Sequence, residues 1–502
     1  ELLYTGATGS LVRDLLQTTD IDAGGDDLIN GGDGDKIVLG GFGGDNISAG
    51  NGDHDVFGDN GFINYEAGIA VELATTDVDN STGGDDTITL GTGLNRVFGG
   101  VGNDTISTGG GFDQVIGDMG AIVNDATGLL LSIESDLGLP GGDDTVIVGA
   151  GSGWIVGGMG GDTVTAGDGS HGILGDNGSF LFDAGLLQIA QSSDVVDATT
   201  GDDVITTGNG DDIVIASGGD DTVSTGDGDD IVLGDAGFID YVGTDGDAST
   251  VDTVESGDPW FGGNDTISTG NGSDAIIGGA ADDYLDGGAQ EDMIIGDGGQ
   301  ITYELGRMKQ MQTIDPYTGG GIDYIIGGFG NDIMFGGEGS DTFVANFFED
   351  GVVGDYARYT SASRTMIRFG NDLIGTEQTG LYGSSDAFVK VAGQIGGGYQ
   401  PIILDGNALS RWLKEGGQDD GRHASNAGAT DGVLGGRDPE VDASTVESAI
   451  PEPAVPGAAS TIEVLPGTNA ALDVPAPNFP EPTDEERGTT ASDAANAAAA
   501  LF

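Results

Sequence analysis

The chain has 502 residues, 99 of them glycine, with 85 Asp and Glu against 14 Lys and Arg and a formal charge of −71. That balance excludes nucleic acid as a partner, because phosphate contacts need Lys and Arg, and the lack of cysteine excludes a disulfide scaffold and thiolate metal sites. Like-charge repulsion and the entropy cost of ordering glycine oppose compaction unless the charge is neutralised.

Residues 1–20 carry Thr18-Thr19-Asp20 ahead of Gly24-Gly25-Asp26-Asp27, an echo of Thr75-Thr76-Asp77 ahead of Gly83-Gly84-Asp85-Asp86. They read as part of a preceding module, and the chain, which starts at Glu1 without a signal peptide, as the C-terminal piece of a longer protein. From there a Gly-Asp mark recurs at Gly58-Asp59, Gly117-Asp118, Gly175-Asp176, Gly234-Asp235, Gly296-Asp297 and Gly354-Asp355, with gaps of 59, 58, 59, 62 and 58 residues. Between the marks lie nine-residue units of the form G-G-x-G-x-D-x-U-x, where U is a large aliphatic residue; Gly40 to Ser48 is a complete copy. A repeat inside a repeat predicts a solenoid, and this nonapeptide is the signature of a calcium-binding parallel β-helix. The expected fold is therefore all-β: a calcium-binding parallel β-roll over residues 21–360, in six modules of about 59 residues.

In each nine, five residues turn, the sixth carries a ligand and the last three form a short strand whose eighth residue points inward. In residues 81–116 those inward residues are Ile88, Val97, Ile106 and Val115. Two nines make a coil, with consecutive nines on opposite edges. The remaining stretch of about 22 residues per module contains strand-like runs such as Phe62–Tyr65 and Ile69–Leu73. It is expected to form a third, metal-poor coil with a bulged loop.

Ca²⁺ is a hard cation that takes six to eight oxygen ligands. Glycines bring turn carbonyls close to an ion, and the sixth-position carboxylate adds charge. Asp holds that position in every first and third nine: Asp27, Asp45, Asp86, Asp104, Asp144, Asp162, Asp203, Asp221, Asp265, Asp283, Asp323 and Asp341. In the second and fourth nines it is Asp113, Asp212, Asp230, Asp274, Asp292, Asp332 and Asp350, whereas Lys36, His54, Asn95, Gly153 and His171 interrupt the first three modules. One edge is expected to be a complete calcium ladder, the other to bind fully only in the last three modules. An ammonium at Lys36 could replace an ion. Asp85, Asp211, Asp229 and Asp282, at position five, read as surface charge.

The array ends in Phe343, Phe347, Phe348, Tyr356 and Tyr359, which would cap the open end of the rod. Residues 361–440 read as an irregular capping region with a short helix near Ala408 to Lys414. Residues 441–490 read as a Pro/Ala/Glu-rich, disordered linker. The tail 491–502 has high helix propensity and ends in Leu501-Phe502. No uninterrupted apolar stretch is long enough to span a bilayer.

The nonapeptides over about residues 20–360 resemble those of the RTX (repeat-in-toxin) family, and the Gly-Asp element with its insertion is similar to that of very large secreted bacterial RTX surface proteins and adhesins. The resemblance implies Ca²⁺ ligands at the aspartates named above. It also implies export through a type I secretion system, with residues 491–502 as the end of an uncleaved secretion signal. Millimolar external calcium would then fold a chain that stays unfolded in the cytosol.

The sequence contains no H-E-x-x-H and no G-x-S-x-G motif. His54 and His171 fall at equivalent fourth-nine positions, as repeat substitutions do. The expectation is a non-enzymatic, secreted calcium-binding structural or adhesive surface protein. The alternative is the secretion and folding module of an exoenzyme or toxin whose catalytic domain lies upstream of residue 1. Cell-surface, glycan and self-assembly partners remain open.

Overall fold

The structure, a computed structural model, describes residues 2–5, 12–21, 23–77, 82–135, 141–193, 200–243, 247–257, 262–314, 320–339, 341–345, 351–354, 357–360, 365–368 and 388–391. The expectations for Asp350, Phe347, Phe348, Tyr356, the helix near Ala408, the linker and the tail lie outside these residues.

Each nine ends in a strand because its last three residues place one large aliphatic group inward, and stacking repeats in register turns those groups into a continuous core. Among the described residues the first and third nines build twelve strands of a 13-stranded parallel outer sheet, including Asn46–Ser48, Thr87–Thr89, Thr105–Ser107 and Thr145–Val148, and Phe388–Val391 is the thirteenth. The second and fourth nines build a parallel central sheet of 12 strands, including Lys36–Leu39, His54–Phe57, Gly93–Phe98 and Gly111–Ile116. Ile88 pairs with Ile106 in the outer sheet and Val97 with Val115 in the central one. These eighth-position residues are buried together between the two sheets.

The stretch after each Gly-Asp mark forms an antiparallel hairpin, not the third coil expected from its sequence. Gly61–Glu66 pairs with Ile69–Thr75, with a register shift between Asn64 and Tyr65. Equivalent hairpins pair with one another into a third sheet of 14 strands. Ile63, Leu73, Ile122, Ile133 and Phe180 run across it as direct cross-strand partners. This row packs on the ninth-position residues of the central sheet, among them Phe57, Phe98, Ile116, Val156 and Leu174.

The described residues thus form three layers, and the central sheet is apolar on both faces, as a buried parallel sheet must be. The outer sheet covers only one core, so positions seven and nine there are exposed, as at Thr87, Thr89, Thr222 and Ser224. Phe343 is fully buried at the far end of the inter-sheet core.

Candidate metal site

Where the chain turns from the central sheet into the outer sheet, the sixth-position aspartates form an unbroken ladder. The backbone N–H of each donates to Oδ1 of the next: Asp27 to Asp45, Asp45 to Asp86, Asp86 to Asp104, and so on through Asp144, Asp162, Asp203, Asp221, Asp265, Asp283 and Asp323 to Asp341, at 2.6–3.1 Å. One carboxylate oxygen is thereby fixed by the repeat. In Asp45, Asp86, Asp104, Asp144, Asp162, Asp203, Asp221, Asp265, Asp283 and Asp323 the second oxygen, Oδ2, is buried and accepts no hydrogen bond. Asp341 is buried in the same position, and Asp27, at the first step, is exposed.

These oxygens aim at places that only glycine leaves open. A Cβ on Gly58 would collide with Asp86 Oδ2 and the Gly99 carbonyl oxygen; one on Gly99 would collide with Asp104 Oδ2 and the Gly117 carbonyl oxygen. Carboxylate and main-chain oxygens therefore converge, step after step, on a point that no side chain fills. An unpaired buried charge costs several kcal/mol or more unless it is paired, coordinated or protonated. Among the described residues no three His, Cys, Asp or Glu side chains gather at one point, so main-chain carbonyls must supply the rest of any coordination shell. An all-oxygen donor set with shared carboxylates fits Ca²⁺. At each step the sixth-position Asp would hold the ion together with turn carbonyls.

The electrostatics agree. Desolvation pushes the Asp45 carboxyl up to about 6; desolvation, with the neighbouring Asp104 adding, takes Asp86 to about 8. Burial likewise takes Asp104 and Asp323 to about 8 and Asp221 to about 7. Asp144, Asp162, Asp203, Asp265 and Asp283 lie well above the ordinary carboxylate range for the same reasons, burial first and adjacent aspartates second. Without a counter-ion, the metal-free fold resists carrying these charges.

The opposite edge is of two kinds. From His171 onward it repeats the ladder, with His171 N–H donating to Asp212 and Asp212, Asp230, Asp274 and Asp292 each donating to the next, ending at Asp332, at 2.7–3.1 Å. Oδ2 of Asp212, Asp230, Asp274 and Asp292 is buried without a hydrogen bond, and Asp332 is buried at the last step. Asp113 is different: its Oδ1 accepts from Asn95 Nδ2 at 2.8 Å and its Oδ2 from Thr108 Oγ1 at 2.7 Å.

The aspartate of the Gly-Asp mark is not among the predicted ligands, yet Asp59, Asp118, Asp176, Asp235 and Asp297 are all buried where the chain leaves the first edge for its hairpin. Asp118 accepts from Gly142 N–H at 3.0 Å and from Met159 N–H; Asp176 accepts from Gly201 at 3.2 Å and Gly218 at 3.0 Å. Asp235 binds Gly263 and Ala280 in the same way, Asp297 binds Gly321 and Glu338, and Asp59 accepts from Val101 at 2.6 Å. The carboxylate ties the turn of the first nine to the turn of the third. Their strict recurrence at the module period was the available signal. At position five, Asp85, Asp211 and Asp229 are exposed and Asp282 is half-buried.

The architecture and the donor set together define a calcium-binding repeat β-roll. A family described as RTX calcium-binding nonapeptide repeat (4 copies) matches residues 80–115, 191–223, 208–238, 261–299 and 317–352. The chain carries RTX calcium-binding repeats. No curated protein matches it.

Proposed function

We propose that the chain is a secreted calcium-binding structural or adhesive surface protein, exported through a type I system and folded by extracellular Ca²⁺. The observation that supports this most directly is the row of buried, unpaired Asp Oδ2 atoms in a chain of charge −71. Such a chain is poorly folded where calcium is scarce and becomes a stiff rod where it is plentiful, since metal binding and folding are one equilibrium. The uniform hairpin face favours a structural role over that of a secretion helper, which needs no third sheet. Among the described residues no helix is long and apolar enough to cross a membrane.

A calcium titration followed by far-UV circular dichroism, with Mg²⁺ as control, tests the reading. A cooperative coil-to-β transition at sub-millimolar to millimolar Ca²⁺ is expected. Full β structure in excess chelator would overturn it.

A further inference from the structure

We infer that the second edge of the first three modules is closed by the protein's own N–H groups and takes no metal, so that this edge's calcium row begins only at Asp212. The inference rests on the calcium reading above and concerns where that reading stops.

Four side chains stand where the other modules carry the ligating Asp, and three of them donate into the turn. Lys36 Nζ donates to the carbonyl oxygen of Asp33 at 2.7 Å and to that of Gly34. His54 Nε2 lies 2.9 Å from the Gly50 carbonyl oxygen, while its Nδ1 receives the Lys36 backbone N–H at 3.2 Å, which fixes Nε2 as the protonated nitrogen. Asn95 Nδ2 donates to the Gly91 carbonyl oxygen at 3.2 Å as well as to Asp113. An ammonium, an imidazole N–H and an amide thus take the electropositive part that an ion takes elsewhere. At the fourth position, the His171 ring turns Nδ1 toward Asp212 Oδ1 at 3.4 Å, so an imidazole faces the first carboxylate of the row. Asp113, the one carboxylate among them, has both oxygens satisfied by Asn95 and Thr108. The sixth-position oxygen left without a hydrogen bond in this stretch is Asn95 Oδ1, a neutral amide and not the carboxylate that Asp212, Asp230, Asp274 and Asp292 present.

Two further observations point the same way. All the basic residues before Arg307 lie in this part of the molecule, and none of them is spent on the surface alone: Lys36 is in the edge, Arg13 NH1 donates to Tyr65 Oη at 3.0 Å, and Arg96 pairs with Asp55 at 2.7 Å. The first and third modules, which hold Lys36, His54, Gly153 and His171, also fall outside the segments matched by the RTX repeat family. The rod is therefore polar: its early modules depend on one row of ions, its late modules on two.

The test uses the full chain. Bound calcium is counted by equilibrium dialysis, and hydrogen exchange is followed through a calcium titration. The double variant Lys36→Asp, His54→Asp, whose two positions are in register on adjacent strands, should bind about one more ion than the native chain. Asp230→Asn should bind about one fewer. In the native chain, strands His54–Phe57 and Gly93–Phe98 should gain protection at lower calcium than Ile231–Asp235 and Met293–Asp297. An unchanged count in the double variant alongside a reduced count in Asp230→Asn would overturn this inference and leave the calcium reading standing. An unchanged count in both would overturn the two together. If the double variant folds poorly, coincident calcium midpoints for the two pairs of strands would by themselves overturn the polarity.

Discussion

Every module sets a carboxylate edge beside a hairpin face, and the two are built on opposite principles. On the hairpin face the polar side chains satisfy one another: Asn64 donates to Glu72 at 2.7 Å, Asn124 to the Ala70 carbonyl at 3.1 Å and Gln312 to Gln300 at 2.9 Å. Its inner row is buried hydrocarbon. On the first edge, by contrast, every aspartate from Asp45 to Asp323 buries a carboxylate oxygen that the protein leaves open. One half of the module is complete as sequence, and the other presents oxygen donors that an ion would complete. The central sheet belongs to both, through Val97 on one face and Phe98 on the other, so the incomplete half holds a veto over the complete one.

The largest test of that veto is removal of calcium. Excess chelator at pH 7.5 should abolish most β signal, and amides of the hairpin Gly178–Asp183 and Leu186–Ser192 should lose protection along with those of the parallel strands. Hairpins that stayed protected while the parallel sheets exchanged would break the comparison, because the faces would then be independent units.

Acid should undo part of that loss. The folded-state carboxyls are raised, to about 6 at Asp45, about 7 at Asp221 and Asp230 and about 8 at Asp86 and Asp323, from an unfolded value of about 3.9. A raised acid contributes stability that is fully present below its unfolded pKa and is lost as pH rises through its folded pKa. In chelator, therefore, β content should increase as pH falls from 8 toward 4.5, read by circular dichroism. With calcium present the same acidification should weaken binding, since protons and ions compete for the same oxygens. A metal-free chain that gained no structure on acidification would show that charge is not what holds the edge open.

How far the sequence disclosed this molecule depends on which half is considered. The nines were legible because a carboxylate and an inward aliphatic recur at fixed offsets, so that the repeat alone places Asp86, Ile88, Asp104 and Ile106. The hairpins were not, although Phe62–Tyr65 and Ile69–Leu73 showed as strand-like. Their tight turns run through Ala67-Gly68, Ala184-Gly185 and Leu305-Gly306, each with both residues at positive φ. Asn-Gly or Asp-Gly would have announced such a turn, and Ala or Leu in the left-handed region does not. The Gly-Asp aspartates were hidden for another reason: their partners Gly142 and Met159 are 24 and 41 residues beyond Asp118, a separation that no local pattern encodes.

The complete half can be weakened on its own. Phe98 stacks on Phe57 with ring centroids 4.5 Å apart and planes 5° from parallel, inside the core shared with the hairpins. Phe98→Ala should cost about 3–5 kcal/mol in calcium-saturated protein, measured by denaturant unfolding. The calcium count of the folded chain should stay the same, because no oxygen donor is touched. A lower count at full β signal would mean that the hairpin core sets the geometry of the edge.

A smaller effect is expected at Asp118, which lies on the border between the halves. Its carboxyl is pushed up to about 8 by burial, and it accepts backbone N–H groups from two turns. Asp118→Ala would strand those donors, for a loss of about 1–3 kcal/mol. Asp118→Asn, which keeps one acceptor oxygen and drops the charge, should recover part of the stability while calcium stays bound in the native number. A staple behaves in this way. A ligand would instead lose about one ion in both variants, and that result would move the Gly-Asp aspartates from the self-sufficient half of the module to the half that calcium completes.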